Sequence, residues 1–247
     1  MPRKKKQGTR RLLYQRTAEK LASLIDELED GDRLPSEPSL AVQLGVSRAT
    51  LREAMRTFEN QGRVIRRQGV GTYVAKPIQI MESGLEVLES IETLAARIGL
   101  IVDMGNLSLS DHQPSPEERQ HFQLEGNGHL IEISRVILTE NRPVAFLVDI
   151  LPWALLPFEP DDKRFKGSIL DMFLKNGHPS LAHSRADITA VPASTDIAHH
   201  LRIQRGDVLM KMESWLYAKE RKVIDHTYSY FLPGTFRFHI MRRIQAA

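Results

Sequence analysis

The chain has 247 residues, 41% of them hydrophobic and 26% charged, and carries a net charge of +3 at neutral pH. That length holds one large domain or two smaller ones, with ample apolar material for a core. The absence of cysteine excludes disulfides, thiolate metal sites and a cysteine nucleophile. No apolar run approaches the roughly 18 residues of a membrane span, and the basic start "MPRKKKQGTRRL" is followed by no apolar signal-peptide stretch. A cytoplasmic protein with no membrane partner is expected.

The charge is unevenly divided. Residues 1–76 hold 16 Lys/Arg against 9 Asp/Glu, whereas the remainder holds 18 against 22. A split of this kind points to an N-terminal unit with an anionic partner.

Residues 1–11 carry six basic groups and no acid, a composition that favours a mobile arm. From Leu12, apolar positions including Leu13, Leu21, Leu24, Ile25 and Leu28 recur at helical spacing, so a first helix is expected to about Glu29. Asp30-Gly31-Asp32 stops it. Ser36 then reads as the N-cap of a second helix, with Leu40, Ala41 and Leu44 as its buried stripe and Gly45 as its end. Ser47 caps a third helix at once, so only Gly45 and Val46 separate the two, a tight helix-turn-helix.

At about 100° per residue, Leu51, Ala54, Met55 and Phe58 fall on one arc of that third helix. Arg48, Ala49, Arg52 and Arg56 fall on another. A plain solvated face would account for the arginines alone. Two neighbours argue instead for entry into DNA. The tight turn presents a recognition helix to the major groove, where arginine reads guanine bidentately and a threonine methyl meets thymine. The stretch "RVIRRQGVGTYV" then alternates as a basic, glycine-rich hairpin. Its Arg66, Arg67, Gln68, Gly69 and Gly71 can follow an adjacent groove or phosphates.

Residues 76–83 read as a linker between a DNA-binding domain over 12–75 and a second domain over 84–247. In that second domain a helix is expected around Leu85–Ile98, strands such as "HLIEISRVIL", helices near 169–175 and 194–200, and a late hairpin over "DVLMKMESWLY" and "KVIDHTYSYFL". Strands and helices interleave without regular alternation, so the fold class expected is α+β with a mostly antiparallel sheet. Within it, Arg135 sits in an alternating strand, where its guanidinium must reach solvent, an anion, or a structural ion pair with Asp149 or Glu213. Ser168 precedes the apolar run Ile169–Leu174 and reads as a cap; a helix start with a hydroxyl is also a natural anion site.

The ordered series "GDRLPSEPSLAVQLGVSRATLREA" and "RRQGVGTYV" resembles the winged helix-turn-helix of GntR-family transcription regulators. The resemblance implies that Arg48 and Arg52 contact bases or phosphates. Ser36, Ser47 and Thr50 would bind backbone or base edges, and Gln68-Gly69, flanked by Arg67 and Gly71, would enter the minor groove. One departure stands out. The family usually has arginine after "PSE", where this chain has Pro38; proline is comfortable in a first helical turn.

The later motifs "LESIETLAARIG", "SRVILTENRPVAF", "KGSILDMFL" and "VIDHTYSYFLPGTFRFHI" resemble the effector-binding (UTRA) domain of the HutC subfamily, which shares its fold with chorismate lyase. Matching its ligand-contacting positions are Ser90, Arg135, Ser168, Asp225 and the pair Tyr230/Phe231, with Glu213 on the neighbouring strand. Phosphosugar-binding members carry a second arginine where this chain has Ile137, and often an acid where it has Leu147. A phosphosugar, a phosphonate, a carboxylate or a less polar effector all stay open, an anionic one being expected.

The implied protein is a homodimeric regulator, repressor more often than activator, acting on a pseudo-palindromic double-stranded operator under control of a small metabolite. No cofactor, metal or catalytic residue is expected. His199-His200 cannot both reach one ion from a helix, and no nucleophile elbow, P-loop or paired carboxylates accompany Arg135 to make an enzyme.

Overall fold

A computed structural model of the chain describes residues 3–60, 62–67, 70–75, 80–156, 165 and 167–241. Its chain contacts divide into two units, Met1–Gln79 and Ile80–Ala247.

The first unit is built from α1 (Arg3–Asp26), α2 (Glu37–Leu44), α3 (Arg48–Asn60) and an antiparallel hairpin of β1 (Val64–Arg67) and β2 (Gly71–Val74). Each helix turns its apolar stripe inward. Leu21 and Ile25 of α1, Leu40 and Ala41 of α2, and Leu51, Ala54, Met55 and Phe58 of α3 form one core with Val64 and Val74 of the hairpin. All four residues of the apolar arc expected on α3 are therefore buried. Tyr14 adds a specific tie, its hydroxyl lying 2.7 Å from Thr57 Oγ1.

Residues 3–11, expected as a mobile basic arm, continue α1 as helix. Lysine, arginine and glutamine are good helix formers, and a continuous helix behind them spares the chain a costly nucleus. The helix also stops at Asp26, short of Glu29.

The second unit is a six-stranded antiparallel sheet in the order β4-β5-β6-β9-β8-β7, beside a two-stranded parallel pair. Its strands are β4 (Asp103–His112), β5 (Leu130–Thr139), β6 (Arg142–Pro152), β7 (Leu181–Pro192), β8 (Val208–Ala218) and β9 (Val223–Phe231). The parallel pair joins β3 (Met81–Gly84) to β10 (Phe236–His239). The linker expected over 76–83 is corrected accordingly, because its last residues belong to β3; residues 76–79 lie outside the described residues. Met81 is fully buried there.

Strand register sorts the side chains onto two faces. Arg135, Leu147, Ser229 and Met212 are aligned across β5, β6, β9 and β8, and so are Ile133, Asp149, Thr227 and Ser214. These share one face, because the side-chain period along a strand is two. That face is covered by α6 (Ile169–Asn176), whose Ile169 and Phe173 pack on Ile131, Ile133 and Leu151. The helix α4 (Ile91–Arg97) reaches the same face. It is shorter than expected and starts at a cap, Ser90. The opposite face carries Val136 and Phe146 beneath α7 (Thr195–Leu201) and Phe122, which follows the short α5 (Pro116–His121).

Candidate DNA interface and effector site

The turn between α2 and α3 is made by two caps and a left-handed glycine. Ser36 accepts a hydrogen bond from the Ser39 N–H at 3.4 Å, and Pro38 fills the first turn of α2. Gly45 adopts φ 69° and ψ 36°, the left-handed conformation that ends a helix with little strain in glycine. Ser47 then accepts from the Thr50 N–H at 3.1 Å, and the two hydroxyls lie 2.9 Å apart. Ser36 and Ser47 thus have defined roles in the free protein as caps, with Thr50 bonded to Ser47, on an exposed or half-exposed surface.

Arg48, Ala49, Arg52 and Arg56 are all exposed on α3, on the side away from the core. Arg52 is held. Its Nε donates to Glu37 Oε2 at 2.8 Å, and the other oxygen of Glu37 receives Arg66 Nη2 from the hairpin at 2.7 Å. One carboxylate at the start of α2 therefore ties an arginine of the third helix to an arginine of the wing. Nothing in the sequence reading singled out Glu37; its place in "PSE" was the available signal. Arg66 pairs with Thr72 across the hairpin and Arg67 with Gly71. The tip residues Gln68 and Gly69 lie outside the described residues. Gly71 has a structural reason of its own: at φ 145° a Cβ would come within 2.7 Å of Arg33 Nε, while Arg33 donates to the Val70 carbonyl at 2.6 Å.

In the second unit the six expected effector residues do not gather. Ser90, Arg135, Ser168 and Asp225 are buried together on the face covered by α4 and α6. Ser90 accepts from the Thr93 N–H at 2.9 Å and donates to Asp171 Oδ2 at 2.6 Å. Ser168 accepts from the Asp171 N–H at 3.3 Å, which bears out its reading as a cap. Arg135, only 3% exposed, donates from Nη1 to Asp149 Oδ2. Of the two ion-pair partners named from the sequence, Asp149 is the one taken. Glu92 Oε1 lies 3.9 Å from Arg135 Nε, and the Thr227 hydroxyl lies between Asp149 (3.2 Å) and Asp225 (3.1 Å), with one proton to give to either. Asp149, Glu92, Asp171 and Thr227 are members that the sequence reading did not place in a site.

Burial sets the protonation of this cluster. Desolvation, followed by the neighbouring Asp149 charge, pushes Asp225 well above the usual carboxylate range. Desolvation likewise raises Glu92, against the attraction of Arg135. Burial opposes the charge of Arg135 itself, but Asp149 and Glu92 outweigh it, so the guanidinium stays charged.

Glu213 and Tyr230 lie on the other face. Glu213 accepts from Lys211 Nζ at 2.7 Å and is 3.1 Å from His226 Nε2. Its pKa is lowered: desolvation acts upward, and the hydrogen bonds from Lys211 and His226 outweigh it. Tyr230 lines a cleft of about 320 Å³ with Tyr228, Phe146 and His200. His200 is stacked on Phe146, with ring centroids 4.3 Å apart. Phe231, the partner of Tyr230 in the expected aromatic pair, points to the first face and packs on Phe236 and Phe238. Alternation along β9 forces that split. Among the described residues no group of three or more His, Asp or Glu could hold a metal ion, and no helix is long and apolar enough to cross a membrane.

Comparison with known proteins agrees with this division. Residues 13–74 match the family described as bacterial regulatory proteins, gntR family, and residues 99–237 match the UTRA domain. The HTH-type transcriptional repressor NagR of Bacillus subtilis is 28% identical over 238 residues, covering 94% of this chain and 96% of that protein. The histidine utilization repressor of Klebsiella aerogenes is 42% identical over 67 residues, 27% of this chain and 26% of its own. In fold, the chain is similar to PhnF from Mycobacterium smegmatis, with a TM-score of 0.62 and 21% identity over 93% of this chain and all of that one. UTRA domains bind small-molecule effectors, and the family is one of regulators, not enzymes. The chain thus belongs to the GntR family of bacterial regulatory proteins, as a DNA-binding regulator of transcription with a UTRA effector-binding domain in the HutC manner.

Proposed function

We propose that the protein is a homodimeric repressor that binds a pseudo-palindromic operator and loosens its hold when a small molecule occupies the Arg135 cluster. The observation that carries this reading is the pairing of an exposed arginine face on α3 with a second, separate unit holding a buried, incompletely satisfied polar site. Arg48 and Arg52 read base edges or phosphates, Ser36, Ser47 and Thr50 add contacts at the helix starts, and the wing carrying Arg66, Arg67, Gln68, Gly69 and Gly71 lies in the adjoining groove. The repressor sign follows the names of the full-length relative NagR and of the histidine utilization repressor. With DNA as its partner, the protein acts in the cytoplasm.

The second copy docks on β7. This 12-residue edge strand is exposed along most of its length, and a long open edge is a template for pairing. Within it Ile188, 42% exposed, is aligned with the partly exposed Met212 of β8 on one sheet face. A two-fold dimer presents two α3 helices in the inverted relation that a pseudo-palindrome requires. Effector control then needs only that the ligand bind one dimer arrangement better than the other.

The test is selection of binding sites from random duplex DNA by the full-length protein. Enrichment of two inverted half-sites is expected. Enrichment of no sequence, or of a single unrepeated half-site, would remove the reading.

A further inference from the structure

We infer that the buried cluster between α4, α6 and the sheet takes an organic ligand bearing an ammonium group, and that it disfavours phosphate. This rests on the proposal that the cluster is the effector site, and it reverses the sign of charge expected from the sequence.

The charge inventory decides it. Glu92, Asp149, Asp171 and Asp225 converge on the site, and the one cation acting on Glu92 and Asp225 among the described residues is Arg135. That guanidinium is already committed to Asp149 and lies against Glu92. An arriving phosphate would have to displace a buried carboxylate from its partner and then sit beside three more acids. Separating a buried ion pair strands a charge in low dielectric.

The unsatisfied atoms point the same way. Glu92 Oε2 and Asp225 Oδ1 are buried oxygens with no hydrogen-bond partner among the described residues. Arg135 Nε is the one orphaned donor beside them. An ammonium group offers three donors and no acceptor. Its charge beside the orphaned oxygens draws the buried carboxyl groups of Glu92 and Asp225, which burial otherwise keeps protonated to higher pH, into the ionised form that accepts from it. Phosphate offers the reverse. The rest of the ligand is apolar or uncharged, because the flanking positions Ile137 and Leu147 are buried hydrocarbon, 1% and 4% exposed. Asp171 of α6 accepts from the Ser90 hydroxyl at the start of α4 at 2.6 Å, which ties the two helices together beside the cluster.

The experiment is thermal unfolding of the full-length protein in methylammonium chloride, sodium chloride and sodium phosphate at matched ionic strength. Small ions need no shape match, so the site's charge preference is read directly. Methylammonium is expected to raise the melting temperature saturably above sodium chloride, and phosphate is expected not to. The rise should vanish in the Glu92→Gln/Asp225→Asn double variant, whose amides keep the side-chain shape and whose fold is checked by circular dichroism. A methylammonium rise that persists in the double variant overturns the assignment to this cluster. A saturable rise with phosphate, lost in Arg135→Lys, overturns the ligand class and leaves the effector site standing. No saturable response to either ion removes the site as well.

Discussion

The two arginine sites of this protein differ in what holds the charge. On α3, Arg52 is 52% exposed and shares Glu37 with Arg66 at the surface. In the sheet, the Arg135 side chain is 4% exposed and is bound to a similarly buried Asp149 side chain, 5% exposed. A surface pair of the first kind is worth little and exchanges readily with water or salt. Arg52 can therefore leave Glu37 for a guanine or a phosphate. The second kind is expensive to separate. The same residue type is thus exchangeable at the surface of one unit and a fixed part of a buried network in the other.

The comparison breaks most visibly at Arg135. Arg135→Ala strands Asp149 in the core, and we expect a loss of about 3–5 kcal/mol in the stability of the second unit. Urea unfolding followed by tryptophan fluorescence would measure it, both tryptophans lying in that unit. A loss under about 1 kcal/mol would mean that the pair is solvated. Next comes Arg52→Ala, expected to cost about 1–3 kcal/mol in operator affinity while changing stability by less than about 0.5 kcal/mol, as surface substitutions do.

Glu37→Gln sharpens the same contrast. With its carboxylate gone, Arg52 and Arg66 lose their shared anchor and the face gains a positive charge. Affinity for random duplex should rise a few-fold, and the ratio of operator to random binding should fall. Equal change on both duplexes would show that Glu37 does not aim the arginines.

A smaller effect tests the buried acids. Asp225 holds its proton in the native state well above the usual carboxylate range, through burial and the Asp149 charge. The unfolded chain releases it near pH 4. The stability this group lends is complete below that pH and is lost as pH rises toward the native value, because the native state binds the extra proton. Asp225→Asn removes the loss. The variant should match wild type near pH 4 and melt higher at pH 7.

Much of the proposed DNA face was legible because helical geometry acts over short spans. The arc of Leu51, Ala54, Met55 and Phe58 fixes which way Arg48 and Arg52 point, and Ser36, Gly45 and Ser47 mark the turn by known capping chemistry. Glu37 escaped because its partners lie 15 and 29 residues away in sequence, and no periodicity joins them. The second unit was legible as α+β from its alternating strands and the cap Ser168. Which strand residues meet was not. Alternation says that two faces exist, but only register across β5, β6, β9 and β8 puts Asp149 next to Arg135 and sends Glu213 and Tyr230 to the far side. Glu92 and Asp171 arrive on helices, brought in by tertiary packing. Ser90 was placed inside a helix when it caps one, since the chain before it turns instead of continuing the helix.

One titration tests the central claim that α3 reads DNA through exposed, exchangeable arginines. Fluorescence anisotropy would compare wild type and Arg52→Ala on a selected operator duplex and on a scrambled duplex at one salt concentration. The account expects operator affinity to fall about 5- to 150-fold, corresponding to about 1–3 kcal/mol, with a clearly smaller loss on the scrambled duplex. An unchanged operator affinity, or the same loss on both duplexes, would contradict it.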